Sequence, residues 1–362
     1  MRKSFLYILT GALLLSSLCA QARKGHRLGR YGIVPGGYSG ITALGDDRYA
    51  VVSDRDKQAG FHVWHIVLNP QTGALEDVCE ESFRAQEGNM ERDAEGVAYC
   101  PARQSVFVSG EADGAILEHR LDGTLTGAHL AVPAQVVTSL ASNRGFESLT
   151  YDSVHHHFWT MNESPLLIES DAQRLLLMQF DDQLRLSASF PYHMQAPISQ
   201  DSGRDYYHGV SAMAALPDGR LLVLEREARI ARHYQGSKCW CSLFYFTPST
   251  GEKQLVGQWN SRFGLFNTRF ANYEGICLGP RLQDGRLTLI MISDSQCGYG
   301  KGPWHLRDRI RVIVLQPSPF QPSWGLSYGR ESSKMASFCC RNRKKPVLLF
   351  SEPRINRQKV IL

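Results

Sequence analysis

Hydrophobic positions along the chain come in short β-rich runs bounded by turn residues, and the runs recur as a unit. Each unit opens on a small turn bearing an acidic or hydroxyl residue and leads to a hydrophobic run that ends on a carboxylate. The clearest copy runs from Asn272-Tyr273-Glu274-Gly275 through a turn at Asp284-Gly285 to Leu289-Ile290-Met291-Ile292-Ser293-Asp294. Four other stretches follow the plan. Ser39-Gly40-Ile41 leads to Val51-Val52-Ser53-Asp54, and Asp93-Ala94-Glu95-Gly96-Val97 to Val106-Phe107-Val108-Ser109-Gly110-Glu111. Phe146-Glu147-Ser148-Leu149 leads to Trp159-Thr160-Met161-Asn162-Glu163, and Val210-Ser211-Ala212-Met213 to Leu222-Val223-Leu224-Glu225-Arg226. From Ser39 to Glu95, Glu147, Ser211 and Glu274 the steps are 56, 52, 64 and 63 residues. A period of this size belongs to blades or solenoid turns rather than to one irregular domain.

A third strand follows each acid-terminated run: Phe61–Leu68, Ala115–Leu121, Arg174–Phe180, Ser242–Phe246 and Ile310–Leu315. A more polar fourth follows in most units, as in Glu252–Trp259. No helical period extends beyond about three turns, so helix should be sparse. Four antiparallel strands per repeat predict an all-β fold, a β-propeller with five repeats visible. The connection from Tyr192 to Tyr207 leaves room for part of another unit, so five or six blades are expected. The segment His26–Val34 precedes the first repeat as a fourth strand would, whereas the fifth repeat shows only three. Amino- and carboxy-terminal strands are therefore expected to share a blade and close the ring, which removes its open edges. Two packed β-sandwiches would explain the strands but not the repeat.

The two ends of the chain differ from this grammar. Arg2-Lys3, the apolar run Phe5–Leu18 and Ala20-Gln21-Ala22 form a signal peptide, 1–22, with cleavage after Ala22. Export to the periplasm or the extracellular space follows, with no transmembrane segment left after cleavage. From Gln316 onward the chain turns Pro-, Ser- and Arg-rich, so 316–362 reads as a basic, poorly ordered tail after a propeller spanning 23–315. The signal contributes +2 and the tail +7 to the net charge of +5, which leaves 23–315 at −4. A mildly acidic body argues against a nucleic-acid partner. Eight cysteines follow Cys19, an even number that permits disulfides in an oxidising compartment. Cys277 and Cys297 flank one predicted hairpin and are the first candidate pair. Cys239-Trp240-Cys241 has no zinc-ligand spacing.

The repeat residues resemble a known family. Asn272-x-Glu274-Gly275, Gly279-Pro280-x-Leu282, Asp284-Gly285 and Ser293-Asp294 follow in the order and spacing of the secreted phytase-like proteins with esterase-like activity. Asn143-x-Gly145-Phe146-Glu147-Ser148-Leu149 is similar to another of that family's elements, with Ser148 where the family has glycine. Asp93-Ala94-Glu95-Gly96 and Leu222–Arg226 also match. The resemblance covers about residues 36–315 and stops at the tail.

Innermost propeller strands line a central channel, so acids at equivalent strand ends should converge. One set is Asp54, Glu111, Glu163, Glu225 and Asp294; a second is Asp93, Glu95, Glu147 and Glu274. Carboxylates gathered this closely cannot all stay ionised without a cation or basic partners. Calcium, which accepts six to eight oxygens in loose geometry, suits them best. The first set with Asp93 supplies candidate metal ligands, and Glu95, Glu147 and Glu274 candidate catalytic groups. Arg55, Arg144 and Arg226 are placed to meet a small anionic or phosphorylated substrate, with His208 at the channel mouth. His155-His156-His157 reads as a turn, because consecutive side chains of an extended strand diverge. No Gly-x-Ser-x-Gly elbow is present, which excludes the usual α/β serine esterase. Two functions remain open: a calcium-dependent hydrolase of phosphoesters or esters, and a non-catalytic ligand- or protein-binding propeller whose acids are structural.

Overall fold

The second strand of each unit is the most apolar, and it lies buried along nearly its whole length. Ser105–Gly110, Leu221–Ala228 and Thr288–Asp294 are buried at every position. Such runs need cover on both faces, and each is sandwiched between adjacent sheets. The outermost strands alternate instead: Leu186–His193 presents every second residue to solvent, as an edge strand with one covered face should.

A computed structural model describes residues 25–316, apart from 143, 200–205, 232–234, 265–266, 299 and 302–303. It shows five antiparallel sheets in a ring, a five-bladed β-propeller with almost no helix. The innermost strands are Tyr38–Gly45, Ala94–Cys100, Ser148–Asp152, Tyr206–Ala215 and Asn272–Leu278, and successive ones are neighbours around a closed circle. Five apolar clusters hold it, each joining two successive blades. Val52, Phe61 and Val97 join the first to the second, and Phe107, Phe158 and Phe180 the second to the third. Met161, Val223 and Phe246 join the third to the fourth. Leu224, Tyr273 and Met291 join the fourth to the fifth, and Trp64, Ile292 and Leu28 the fifth to the first.

Close approach at the axis requires small residues. A Cβ on Gly40 would stand 2.4 Å from the Glu95 carbonyl oxygen of the next blade. Ser39 and Ser211 stitch the same level, donating to the carbonyls of Ala94 at 2.6 Å and Tyr273 at 3.0 Å.

Ring closure follows the expected plan with a shorter element. Only His26–Arg27 is strand, paired antiparallel to Arg309–Ile310 at the outer edge of the fifth blade. Leu28–Tyr31 then forms a 3-10 turn ended by Gly32 in the left-handed conformation, which swings the chain off the edge. Leu28 is fully buried against the fifth and first blades. Among the described residues the 192–207 connection holds no sixth blade: its ends belong to the strands Leu186–His193 and Tyr206–Ala215, 194–199 are loop, and 200–205 lie outside the described set.

The candidate bridge between Cys277 and Cys297 is not formed. Cys277 is buried opposite Ile290, towards the end of the channel away from the mouth, whereas Cys297 is exposed in the turn that follows Asp294. Cys100, Cys239, Cys241, Cys277 and Cys297 are free thiols. Cys239 and Cys241 share one side of a strand, their sulfurs in contact at 3.8 Å without a bond. The signal segment, the tail beyond Gln316, Cys19, Cys339 and Cys340 lie outside the described residues. No helix among the described residues is long and apolar enough to cross a membrane.

Closure by the amino-terminal segment makes Leu28 a keystone remote from the channel. Leu28→Ala should lower unfolding free energy by about 2–5 kcal/mol, the usual cost of a buried leucine cavity. Denaturant midpoints of parent and variant measure it; equal midpoints would show that the ring closes without this contact.

A carboxylate-lined channel mouth

The backbone ladder defines which positions are equivalent. Asp54 N–H donates to the Gly37 carbonyl, Glu111 to Asp93 and Glu163 to Gly145, at 2.9 to 3.0 Å. In the last two blades the paired positions are Gly209 with Arg226, and Asn272 with Asp294. The ring at this level is therefore Asp54, Glu111, Glu163, Arg226 and Asp294. One level deeper, Ser39, Glu95, Glu147, Ser211 and Glu274 repeat in the same order.

Glu225 consequently does not belong to the set in which its sequence places it. Successive strand residues face opposite ways, and Arg226 takes the inward position. Glu225 faces the neighbouring blade, where it accepts hydrogen bonds from the Tyr192 hydroxyl at 2.7 Å and the Gln195 N–H at 2.9 Å and pairs with Lys253. His208 is displaced by the same parity. Tyr207 faces the channel, whereas His208 sits among Glu225, Glu227 and Lys253, with burial pushing its pKa down. The His155-His156 segment is a turn as expected, with Asp152 accepting from His155.

The remaining acids converge. Asp54, Asp93, Glu95, Glu111, Glu147, Glu163, Glu274 and Asp294 line one cavity of about 380 Å3 with Arg55 and Arg226. Arg144 stands at its edge, 3.5 Å from Glu163 and stacked on the Tyr207 ring at 4.8 Å. Eight carboxylates against three guanidiniums leave five formal negative charges uncompensated. The opposite end of the channel is walled by Ile41, Val97, Tyr99, Leu149 and Ile276 instead.

Burial and mutual repulsion show in the acidities. Burial, then Asp294, pushes Asp54 up to about 7. Glu95, Glu147 and Glu274 are held well above the ordinary carboxylate range by burial first, and then by Glu147, Glu163 and Asp294 respectively. Asp93, Glu111 and Asp294 are raised by burial as well.

Two groups of acids separate within the cavity. Arg226 is 5% exposed and pairs with Glu163 on one side and Glu274 on the other, while donating to Asn272 Oδ1 at 3.1 Å. Burial opposes its charge, but Glu274, Glu163 and Glu147 outweigh that and hold it protonated. On the other side, oxygens of Asp54, Asp93 and Glu95 lie within 4.8 Å of one another. Glu95 is only 8% exposed and makes no hydrogen bond among the described residues, and Asp54 Oδ1 is buried without a partner. Arg55, half exposed, reaches Asp54 at 3.2 Å and Gln296 at 2.7 Å from the rim. Asp93 holds a left-handed backbone with φ of +55°, so its carboxylate is aimed at a conformational cost.

These unsatisfied oxygens fit a hard cation, which would hold Asp54, Asp93 and Glu95 as ligands with Glu111 and Asp294 beside them. Sequence reading did not mark Tyr207, Asn272, Phe270 or Gln296, which also line the cavity. Asn272 was reachable: it lies two residues before Glu274, on the same strand face. Phe270 and Gln296 sit on loops, where no period applies.

A comparison with curated proteins finds no match. Solved structures with similar strand arrangements include an endo-arabinase of Bacteroides thetaiotaomicron, 11% identical over 80% of this chain and 96% of that one, TM-score 0.44. A periplasmic gluconolactonase of Pseudomonas aeruginosa is 15% identical over 75% and 71%, TM-score 0.33. A streptogramin B lyase is 10% identical over 80% and 97%, TM-score 0.36. At such scores no residue of this chain takes a role from them. Residues 34–296 match the phytase-like family, described as esterase-like activity of phytase, and the chain belongs to that family.

Proposed function

We propose that the protein is an exported, calcium-dependent phosphoester hydrolase whose reaction takes place at the carboxylate-lined mouth. The observation that carries this reading is the cluster of Asp54, Asp93 and Glu95, whose oxygens lie within 4.8 Å of one another, with Asp54 Oδ1 buried and unpartnered, in a cavity lined by eight carboxylates. A divalent cation bound there supplies charge neutralisation for a phosphoryl group and lowers the pKa of a water. Arg55 and Arg144 at the rim offer guanidiniums to the phosphate as it enters. Glu147, outside the cation cluster and held protonated by burial and Glu163, is placed to give its proton to the leaving oxygen. Water oxygen bonds to phosphorus, the ester P–O bond breaks, and the proton released by the water restores Glu147.

A non-catalytic binding propeller is the second reading, favoured by the ion pairs of Arg226 with Glu163 and Glu274, which satisfy part of the ring internally. The two separate on turnover. Hydrolysis of para-nitrophenyl phosphate should require calcium and fall at least about 100-fold in Glu147→Gln, the usual worth of general acid catalysis, with the melting temperature retained. Calcium binding without any turnover would leave the binding reading in place.

Asp93→Gly removes a cation donor and relaxes a left-handed backbone at once. In chelator the variant should be as stable as the parent or up to about 1 kcal/mol more so. The rise in melting temperature that calcium gives the parent should vanish. A variant that still responds fully to calcium would place the ion elsewhere.

Stability in chelator should also fall as pH rises from 5 to 8. The native pKa of Asp54 lies above its ordinary 3.8, so the folded chain holds its proton more tightly and losing it opposes folding. That loss accrues between about 4 and the folded value of about 7. His62 adds in the same direction: burial would lower it, but the hydrogen bonds its ring donates to Asp56 and Glu80 outweigh that and raise it to about 9, a contribution present below 6.5 and lost towards 9. Calcium should reverse the trend, because its ligands must be deprotonated. Melting curves at several pH values with calcium and with chelator check both signs, and Asp54→Asn should flatten the chelator curve.

A further inference from the structure

We propose that Arg226 takes the place of a second cation, so that the channel mouth binds one divalent ion and uses the guanidinium as its other positive pole. The inference rests on the cation reading above. Four blades place an acid at the inward end of the second strand, namely Asp54, Glu111, Glu163 and Asp294; the fourth blade places Arg226 there. In a five-membered ring the fourth blade lies across the axis from the junction of the first and second. That junction carries Asp54, Asp93 and Glu95, the cluster with unsatisfied oxygens. Arg226 meanwhile draws in Glu163 and Glu274 from the blades on either side of its own. The acids are thus divided between a tethered cation and a second set of oxygen donors on opposite walls.

The guanidinium does not neutralise its neighbours completely. Its Nε is buried without a partner, and its single positive charge is shared between two carboxylates. A phosphoryl group entering between the poles would meet a free ion on one wall and a planar donor on the other. This is the arrangement that two-metal sites build from a pair of ions. Fixing one pole covalently makes ion binding a single event and leaves the Glu163 side independent of calcium.

Equilibrium dialysis of the full chain against calcium counts the ions directly. The parent should hold one calcium per chain at the mouth, and Arg226→Met should hold two, the second on the acids that the arginine releases. Arg226→Lys, which keeps the charge, should return to one. Glu163→Gln removes an arginine partner and no proposed ion ligand, so it should keep the single ion with affinity within about threefold. A parent that binds no calcium overturns the cation reading itself. A parent with two ions, or a folded Arg226→Met still holding one, overturns the role of Arg226 alone. Where Arg226→Met does not fold, Glu163→Gln decides: retention of the ion supports the division of the acids, and its loss overturns it.

Discussion

Repulsion among carboxylates gathered at one end of a five-stranded funnel is the constraint that the rest of the structure answers. Eight acids line a single cavity, most of them buried enough to be driven above the ordinary carboxylate range. Left to themselves such groups would protonate or push the inner strands apart. The protein holds them together with apolar packing on every blade interface and with one buried arginine.

That packing is distributed rather than central. Each interface has its own cluster of buried side chains, and no single core spans the ring. The channel can therefore be polar without interrupting the apolar contacts that hold it. Small residues at the inner level let neighbouring strands approach to hydrogen-bonding distance, and Ser39 and Ser211 fill with stitching bonds the two positions where no glutamate projects.

Departure from symmetry in the fourth blade gives the mouth its direction. Its second and third strands run on to Arg229 and from Lys238, past the level at which the other second strands stop. Arg226 holds the inward position at the level of the other blades' acids, and the extension beyond it brings Ala228 and Ile230 into the cavity wall beside Phe270 and Leu306. One side of the cavity is thus apolar and cationic, the other acidic and open to Arg55. A ring of five equal acids would repel any anion; the guanidinium of Arg226 breaks that uniformity.

What the sequence determined by itself was the repeat and everything that depends on it: the all-β class, the strand triplets, closure through the amino-terminal segment, and the convergence of Asp54, Glu95, Glu147, Glu274 and Asp294. Period-two alternation and a recurring turn are local properties, and they survive folding unchanged. What only the tertiary structure decided was parity and depth. Glu225 ends its apolar run as the channel acids end theirs, yet it pairs with Val210 in the register at which Ser53 pairs with Tyr38 and Ser293 with Tyr273, one residue short of the inward position that Arg226 holds; His208 is out of phase in the same way. Cys277 and Cys297 look paired across a hairpin, yet they lie at different heights along it. A shift of one residue reverses the face a side chain occupies, and its sign is set by how long a strand runs and where it bulges. Those are outcomes of packing against neighbours far away in the chain, and no local pattern records them.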